Sequence, residues 1–375
     1  MKKVGILTFH ASHNYGSMLQ NYALQQVLIK LGYYPETINL RTETQKEIYN
    51  FFAPFSQMHN KRHIVRKLIF YPWKKQLDKK YRLFEEFLNK ELNLSREVHS
   101  YNEIKELTYY DDYIVGSDQC WNVNADDFDF AYFLGFIPDK YRRISYAVSM
   151  GPNPSESIKA RKEISYKIAM ELTKFTAISV RDEKTRNVIS EIEKNKHNIE
   201  VSVDPTLLLS SEEWESKMPK ERLIKEPYIF FYNPYWRADA FEQAYELGKL
   251  TGLKVVTSVP NMIGLLKYPS FENVFETGPW EFLNLVKNAD YVIGGSFHLI
   301  VFCVLFHKRF IAVNGMDDSR VSQLLKSIGL ENYASKDGNV NKVFSRLNSI
   351  DFTHTDSWRL TETKRSMEYL KNNLS

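Results

Sequence analysis

Short apolar runs alternate with stretches of helical periodicity along nearly the whole chain. Val4 to Phe9 is a compact apolar run and predicts a buried strand. Polar residues His10 to His13 follow. Asn14, Tyr15 and Gly16 then open a helix with Leu24, Leu28 and Leu31 on one face and Leu19, Ala23 and Val27 beside them. Gly32 is placed to end it. Pro35 to Leu40 predicts the next strand. Residues 43–107 read as helical and irregular, an elaboration of the first domain. Further strands are expected at Tyr110–Val115, Ile144–Met150, Thr176–Val180 and Ile199–Val203, with a polar helix over 155–173. The pattern restarts with strands at Tyr228–Tyr232, Leu253–Ser258, Tyr291–Ile293 and Arg309–Val313. Helices are expected over 237–250, 279–289 and 298–306. Leu360, Met367, Leu370 and Leu374 give the tail a helical spacing.

Strand–loop–helix–strand order implies parallel α/β units whose ligands bind at the carboxyl ends of the strands. The expected fold class is therefore α/β, with two Rossmann-like domains facing a cleft. The expected domains are residues 1–205 and 206–354. Residues 355–375 form a terminal helix that packs back on the first domain. At about 150 residues per domain, 375 residues suit two domains.

Composition narrows the class. The net charge is +4 and charged residues are 26%, which argues against disorder and against nucleic acid as a partner. Two cysteines, Cys120 and Cys303, make neither a disulfide framework nor a zinc site. The basic N-terminus lacks the long apolar core of a signal peptide. The longest apolar run, Leu299 to Phe306, has eight residues, too few to span a bilayer. A reduced, cytoplasmic protein is expected.

No phosphate-binding glycine motif, zinc-protease motif or nucleophile elbow is present. The candidate chemistry lies in polar clusters at strand ends. Gly294-Gly295-Ser296-Phe297-His298 lies between a strand and an apolar helix. Glycines admit a ligand to the backbone, free N–H groups attract anions, and a histidine moves protons near neutral pH. The same residues also fit a tight turn with an N-capping Ser296 and a buried histidine. Arg181 follows an apolar strand and could grip phosphate or carboxylate, or pair with Asp182 or Glu183. His10, Asn14 and Tyr15 border the first helix, where Asn14 could simply cap. Asp118 could accept from sugar hydroxyls and Trp121 could stack on a ring, or Trp121 could be core. Asp204-Pro205-Thr206 reads as a boundary turn. Residues 61–82 hold nine Lys/Arg and one acid, Asp78, interleaved with aromatics. Such a run suits an anionic membrane face or a solvated helix.

In order along the chain, seven stretches resemble the polysaccharide pyruvyl transferase family. They are ILTFH with NYGSMLQNYALQQVLIKLGY from Ile6, DDYIVGSDQCWN from Asp111, RISYAVSMG from Arg143, FTAISVRDEKT from Phe175, VDPTLLLSSEEW from Val203, NADYVIGGSFHLIVFCVLFHKRFIAV from Asn288 and SRVSQLLKSIGL from Ser319. The resemblance implies a fold like that of GT-B glycosyltransferases. It implies transfer of a pyruvyl group from phosphoenolpyruvate to a sugar of an exopolysaccharide, a capsule or a precursor, forming a ketal and releasing phosphate. Neither metal nor cofactor is implied; phosphoenolpyruvate is a co-substrate. The resemblance assigns catalysis to His298 and Arg181. Gly295, Ser296 and Phe297 would bind the donor, and His10, Asn14, Tyr15, Asp118 and Trp121 the sugar. Relatives often carry an arginine where this chain has Ser296, so Arg320 or Arg181 would replace it at the donor. The acceptor could be lipid-linked, with the 61–82 run touching an anionic membrane at its inner face. Two other readings fit the same architecture. One is a nucleotide-sugar glycosyltransferase. The other is a non-catalytic sugar-binding protein of polysaccharide assembly.

Overall fold

The computed structural model describes residues 1–49, 68–152, 162–194, 196–234, 237–336 and 339–375. The chain divides into two compact units. The first holds residues 1–58, 85–209 and 360–375, and the second holds 59–84 and 210–359.

In the first unit six parallel strands form one sheet in the order β2-β1-β3-β4-β5-β6. They are β1 (Lys3–Leu7), β2 (Tyr34–Thr37), β3 (Asp112–Val115), β4 (Arg142–Val148), β5 (Ala177–Val180) and β6 (Ile199–Val201). The chain steps outward from β1 to β2, then returns past β1 to β3. This reversal makes the carboxyl ends of β1 and β3 a topological switch point, where open α/β sheets bind ligands. Helix α1 (Tyr15–Lys30) joins β1 to β2. The sequence marks one apolar face on it, yet the helix is buried on nearly all sides from Tyr15 to Gln25. It packs against the short 3-10 turn Pro205–Leu208 as well as beside its own sheet. Two of its buried glutamines pair internally. Gln20 Nε2 donates to Thr8 Oγ1 at 2.9 Å, and Gln25 Nε2 to Thr37 Oγ1 at 2.7 Å.

The second unit has a parallel sheet in the order β12-β11-β10-β7-β8-β9. Its strands are β7 (Tyr228–Tyr232), β8 (Lys254–Thr257), β9 (Glu272–Asn273), β10 (Tyr291–Gly294), β11 (Phe310–Val313) and β12 (Ala334–Ser335). Strands β7 to β9 run outward on one side of β7, and β10 to β12 on the other. This is the dinucleotide-fold order, with its switch point between β7 and β10. The two-residue strands β9 and β12 carry too little pattern to be read from sequence.

The structure corrects one expected boundary. Residues 59–84 group with the second unit, not with a first domain of 1–205. Helix α2 (Lys74–Glu91) contains the dividing point, between Phe84 and Glu85. Lys79 pairs with Glu276 at 2.6 Å, and the Trp73 ring meets Phe275 edge-on. Lys80 Nζ donates to Thr277 Oγ1 at 3.1 Å and to the Ser258 carbonyl at 3.2 Å. Side-chain bonds of this kind have no sequence periodicity, so the grouping could not be foreseen. The C-terminal helix Thr353–Asn373 also spans a division, with residues from Leu360 onward in the first unit. There Tyr369 OH donates to the Ser145 carbonyl at 2.9 Å.

Candidate active site

At the first unit's switch point, β1 runs into Thr8-Phe9-His10 and β3 into Gly116-Ser117-Asp118. Asp118 lies in the left-handed region at φ 73°, a conformation that costs energy for a residue with a Cβ. Its carboxylate accepts from Ser17 Oγ of α1 at 2.5 Å. Arg181, just past β5, lies with Nη2 at 3.5 Å from Asp118 and Nη1 at 2.8 Å from Asp204. Ser117 Oγ also donates to Asp204, at 3.2 Å. The cluster is buried, with the Arg181 side chain 2% exposed and that of Asp204 fully enclosed. Two carboxyl groups thus surround one guanidinium at the ends of β3, β5 and β6. Arg181 has an ion-pair partner, as one of its readings required, but the partner is Asp204 rather than Asp182 or Glu183. Asp182 instead caps the helix Glu183–Glu193.

Sequence reasoning placed Asp204 in a boundary turn and so missed it. A usable signal existed: Asp204 follows β6, the neighbour of the strand that Arg181 ends.

The expected acceptor residues separate. Trp121 is fully buried, stacked on Phe133 with centroids 5.0 Å apart, and its Nε1 donates to the Tyr132 carbonyl. It presents no ring face to a sugar, so that expectation is corrected; the surrounding aromatic cluster needs its bulk. Asn14 caps α1, accepting from Gly16 N at 2.9 Å. Tyr15 is buried in the first turn of α1. His10 is also buried. Its Nδ1 faces the Thr8 carbonyl at 3.1 Å and its Nε2 faces Asn39 Oδ1 at 2.9 Å. Burial lowers its pKa. His13, in the same loop, bonds Glu85 at 2.7 Å.

In the second unit, β10 ends in Gly294-Gly295 at the switch point. A Cβ on Gly294 would strike the Tyr232 carbonyl of β7, and one on Gly295 would lie 2.8 Å from the Val313 carbonyl of β11. Only glycines let the chain turn so close to both neighbours. Helix α3 (Phe297–Leu305) starts there, with Ser296 at its N-cap position. The Ser296 hydroxyl makes no capping bond. The expected capping role is therefore absent, and no side-chain oxygen of Ser296 covers the N–H groups of the first turn. His298 occupies that turn, 8% exposed, its ring edge-on to Phe297. Arg320, expected to stand in for a donor-binding arginine, is buried and gripped by Asp318 through Nε at 3.0 Å and Nη2 at 2.5 Å. That bidentate pair already occupies the face of the guanidinium that an anion would take.

Lys80 lies at this sheet's carboxyl edge, beside Ser258 after β8. Burial lowers its pKa to about 7, with Glu281 acting in the opposite sense. Lys74 is paired with Asp78 and Lys79 with Glu276, so the basic run is not a uniform cationic face. Its residues 61–67 lie outside the described residues. Among the described residues no group of three His, Cys, Asp or Glu side chains is placed to hold a metal ion. None of their helices is long and apolar enough to cross a membrane.

Similar folds occur among solved structures. UDP-GlcNAc 2-epimerase from Neisseria meningitidis, bound to UDP-GlcNAc, superposes with a TM-score of 0.57 at 9% identity, covering 100% of this chain and 99% of that one. The UDP-GlcNAc 2-epimerase of Methanocaldococcus jannaschii, in complex with UDP-GlcNAc and UDP, gives 0.53 at 13% identity, covering 94% and 93%. An alpha-glucosyltransferase in complex with UDP and DNA gives 0.51 at 9% identity, covering 100% and 96%. Such low identities establish the fold alone, which is of the GT-B type. No curated protein matches by sequence. The model of the polysaccharide pyruvyl transferase family matches residues 14–317, a span that holds the Arg181 cluster, the second unit's switch point and the Gly294–His298 turn, and the chain belongs to that family.

Proposed function

We propose that the protein transfers a pyruvyl group from phosphoenolpyruvate to a sugar of a surface polysaccharide or its precursor, closing a pyruvate ketal and releasing phosphate. One observation carries this reading: the second unit's switch point opens onto a glycine turn and a helix start that Ser296 does not cap, with His298 in its first turn. N–H groups at a helix start suit the donor's phosphate. The enol ether carbon of phosphoenolpyruvate becomes electrophilic once its methylene is protonated. His298 is the proposed general acid for that step, and it regains a proton from an attacking hydroxyl. Phosphate leaves, and a second hydroxyl closes the ketal. Arg181 is the proposed cation for the donor at the first unit's sheet edge, and Asp118 a contact for the sugar.

The test is incubation with phosphoenolpyruvate and candidate glycans, following phosphate release and the mass gain of a pyruvate ketal. His298→Ala should abolish both while keeping the wild-type circular dichroism and melting temperature. Turnover by that variant at the wild-type rate would reject the acid role. Transfer from a nucleotide sugar with no use of phosphoenolpyruvate would establish the glycosyltransferase reading instead.

A further inference from the structure

We infer that Arg237 is the cation of an oxyanion-binding subsite at the second unit's switch point and takes the phosphate of the donor. The choice of donor rests on the pyruvyl-transfer reading; the subsite rests on geometry within the second unit alone. Strand β10 lies between β7 and β11 in the sheet. The segments that leave those two neighbours meet across its end. Asn233 follows β7, and its Nδ2 donates to the Arg237 carbonyl at 2.8 Å, which closes the loop back on the end of the strand. Asn314 follows β11, left-handed at φ 50°, and its Nδ2 donates to Asp239 Oδ2 at 2.5 Å. Asp239, in the first turn of the helix Ala238–Thr251, also accepts from the Arg237 guanidinium, from Nε at 3.2 Å and Nη2 at 3.1 Å. The bonds Arg237–Asp239–Asn314 thus join the ends of β7 and β11 beyond the Gly294-Gly295 turn.

The polarity of this cluster selects the ligand. Desolvation alone would raise the Asp239 pKa, but the bonds from Arg237, Asn314 and the Ala240 N–H bring it below its ordinary value. The carboxylate is therefore ionised and engaged as an acceptor on both oxygens. What the cluster still offers is donors. Arg237 Nη1 makes no bond to a described residue, and Nη2 keeps its second hydrogen. Arg320 forks onto Asp318 in the same way, but its side chain is 3% exposed, whereas that of Arg237 is 48% exposed. The outer edge of the Arg237 guanidinium is thus open, and two parallel N–H groups match two oxygens of a phosphate. Asp239 fixes the fork before a ligand arrives, so less side-chain freedom is lost on binding.

Phenylglyoxal labelling of the full-length protein, read by peptide mass spectrometry, tests the subsite without turnover. Inorganic phosphate should slow the labelling of Arg237 in a saturable way. Pyruvate, which carries only a carboxylate, should protect little at the same concentration. Arg237→Ala should keep the wild-type melting temperature, because the side chain is half exposed, and weaken phosphoenolpyruvate binding about tenfold or more in calorimetry. Labelling of Arg237 that phosphate leaves unchanged, or protection by pyruvate alone, would overturn the subsite. Unchanged phosphoenolpyruvate affinity in folded Arg237→Ala would overturn its assignment to the donor. Protection by phosphate in a protein that binds no phosphoenolpyruvate would instead overturn the pyruvyl-transfer reading and leave the subsite standing.

Discussion

Arg181 and Asp204 form a buried ion pair, Nη1 to Oδ2 at 2.8 Å, at the carboxyl ends of adjacent strands β5 and β6. Removing one partner of a buried pair leaves the other charge without compensation and costs about 3–5 kcal/mol. Asp204→Ala should therefore lower stability by that order, measured by urea unfolding. Arg181→Lys should lose less stability, because a cation remains, yet weaken phosphoenolpyruvate binding, because an ammonium lacks the planar fork. Unchanged donor affinity in folded Arg181→Lys would remove Arg181 from the donor site.

Ser296 stands at an N-cap without capping. Replacing a capping serine by alanine normally costs about 1 kcal/mol. Ser296→Ala should instead leave the melting temperature within error and raise the KM for phosphoenolpyruvate. A clear stability loss would show that the hydroxyl caps in solution.

Trp121 tests the opposite case, a residue expected at the sugar and found in the core. Truncating a buried tryptophan costs about 3–5 kcal/mol. Trp121→Ala should be strongly destabilised. Trp121→Phe, which keeps the ring against Phe133, should fold and keep the wild-type KM for the acceptor glycan. A selective rise in that KM would return Trp121 to the acceptor site.

Lys80 makes a pH-dependent prediction. Burial lowers its folded pKa from 10.5 to about 7. The unfolded chain then binds more protons than the folded chain between those values, so this group's contribution makes stability rise with pH across that window. Below about pH 7 both states are protonated and the contribution is flat. Relative to wild type, Lys80→Met should lack that rise between pH 7 and 10, followed by thermal melts. Parallel curves for the two proteins would show that Lys80 is not buried as a cation.

The sequence by itself determined the architecture of this protein. Apolar runs such as Val4–Phe9 and Tyr228–Tyr232 and the periodic helix from Tyr15 are local, and parallel strands buried on both faces leave a near-continuous apolar signal. The motifs also placed Arg181, Asp118 and His298 at strand ends, because a strand's end is visible in the chain. Tertiary structure alone decided what each of these groups touches. Asp204 reaches Arg181 across two strands, Glu85 reaches His13 across 72 positions, and Trp121 turns into an aromatic cluster. Residues 59–84 joined the second unit for the same reason. Burial and pairing arise between segments distant in the chain, and no local pattern records them.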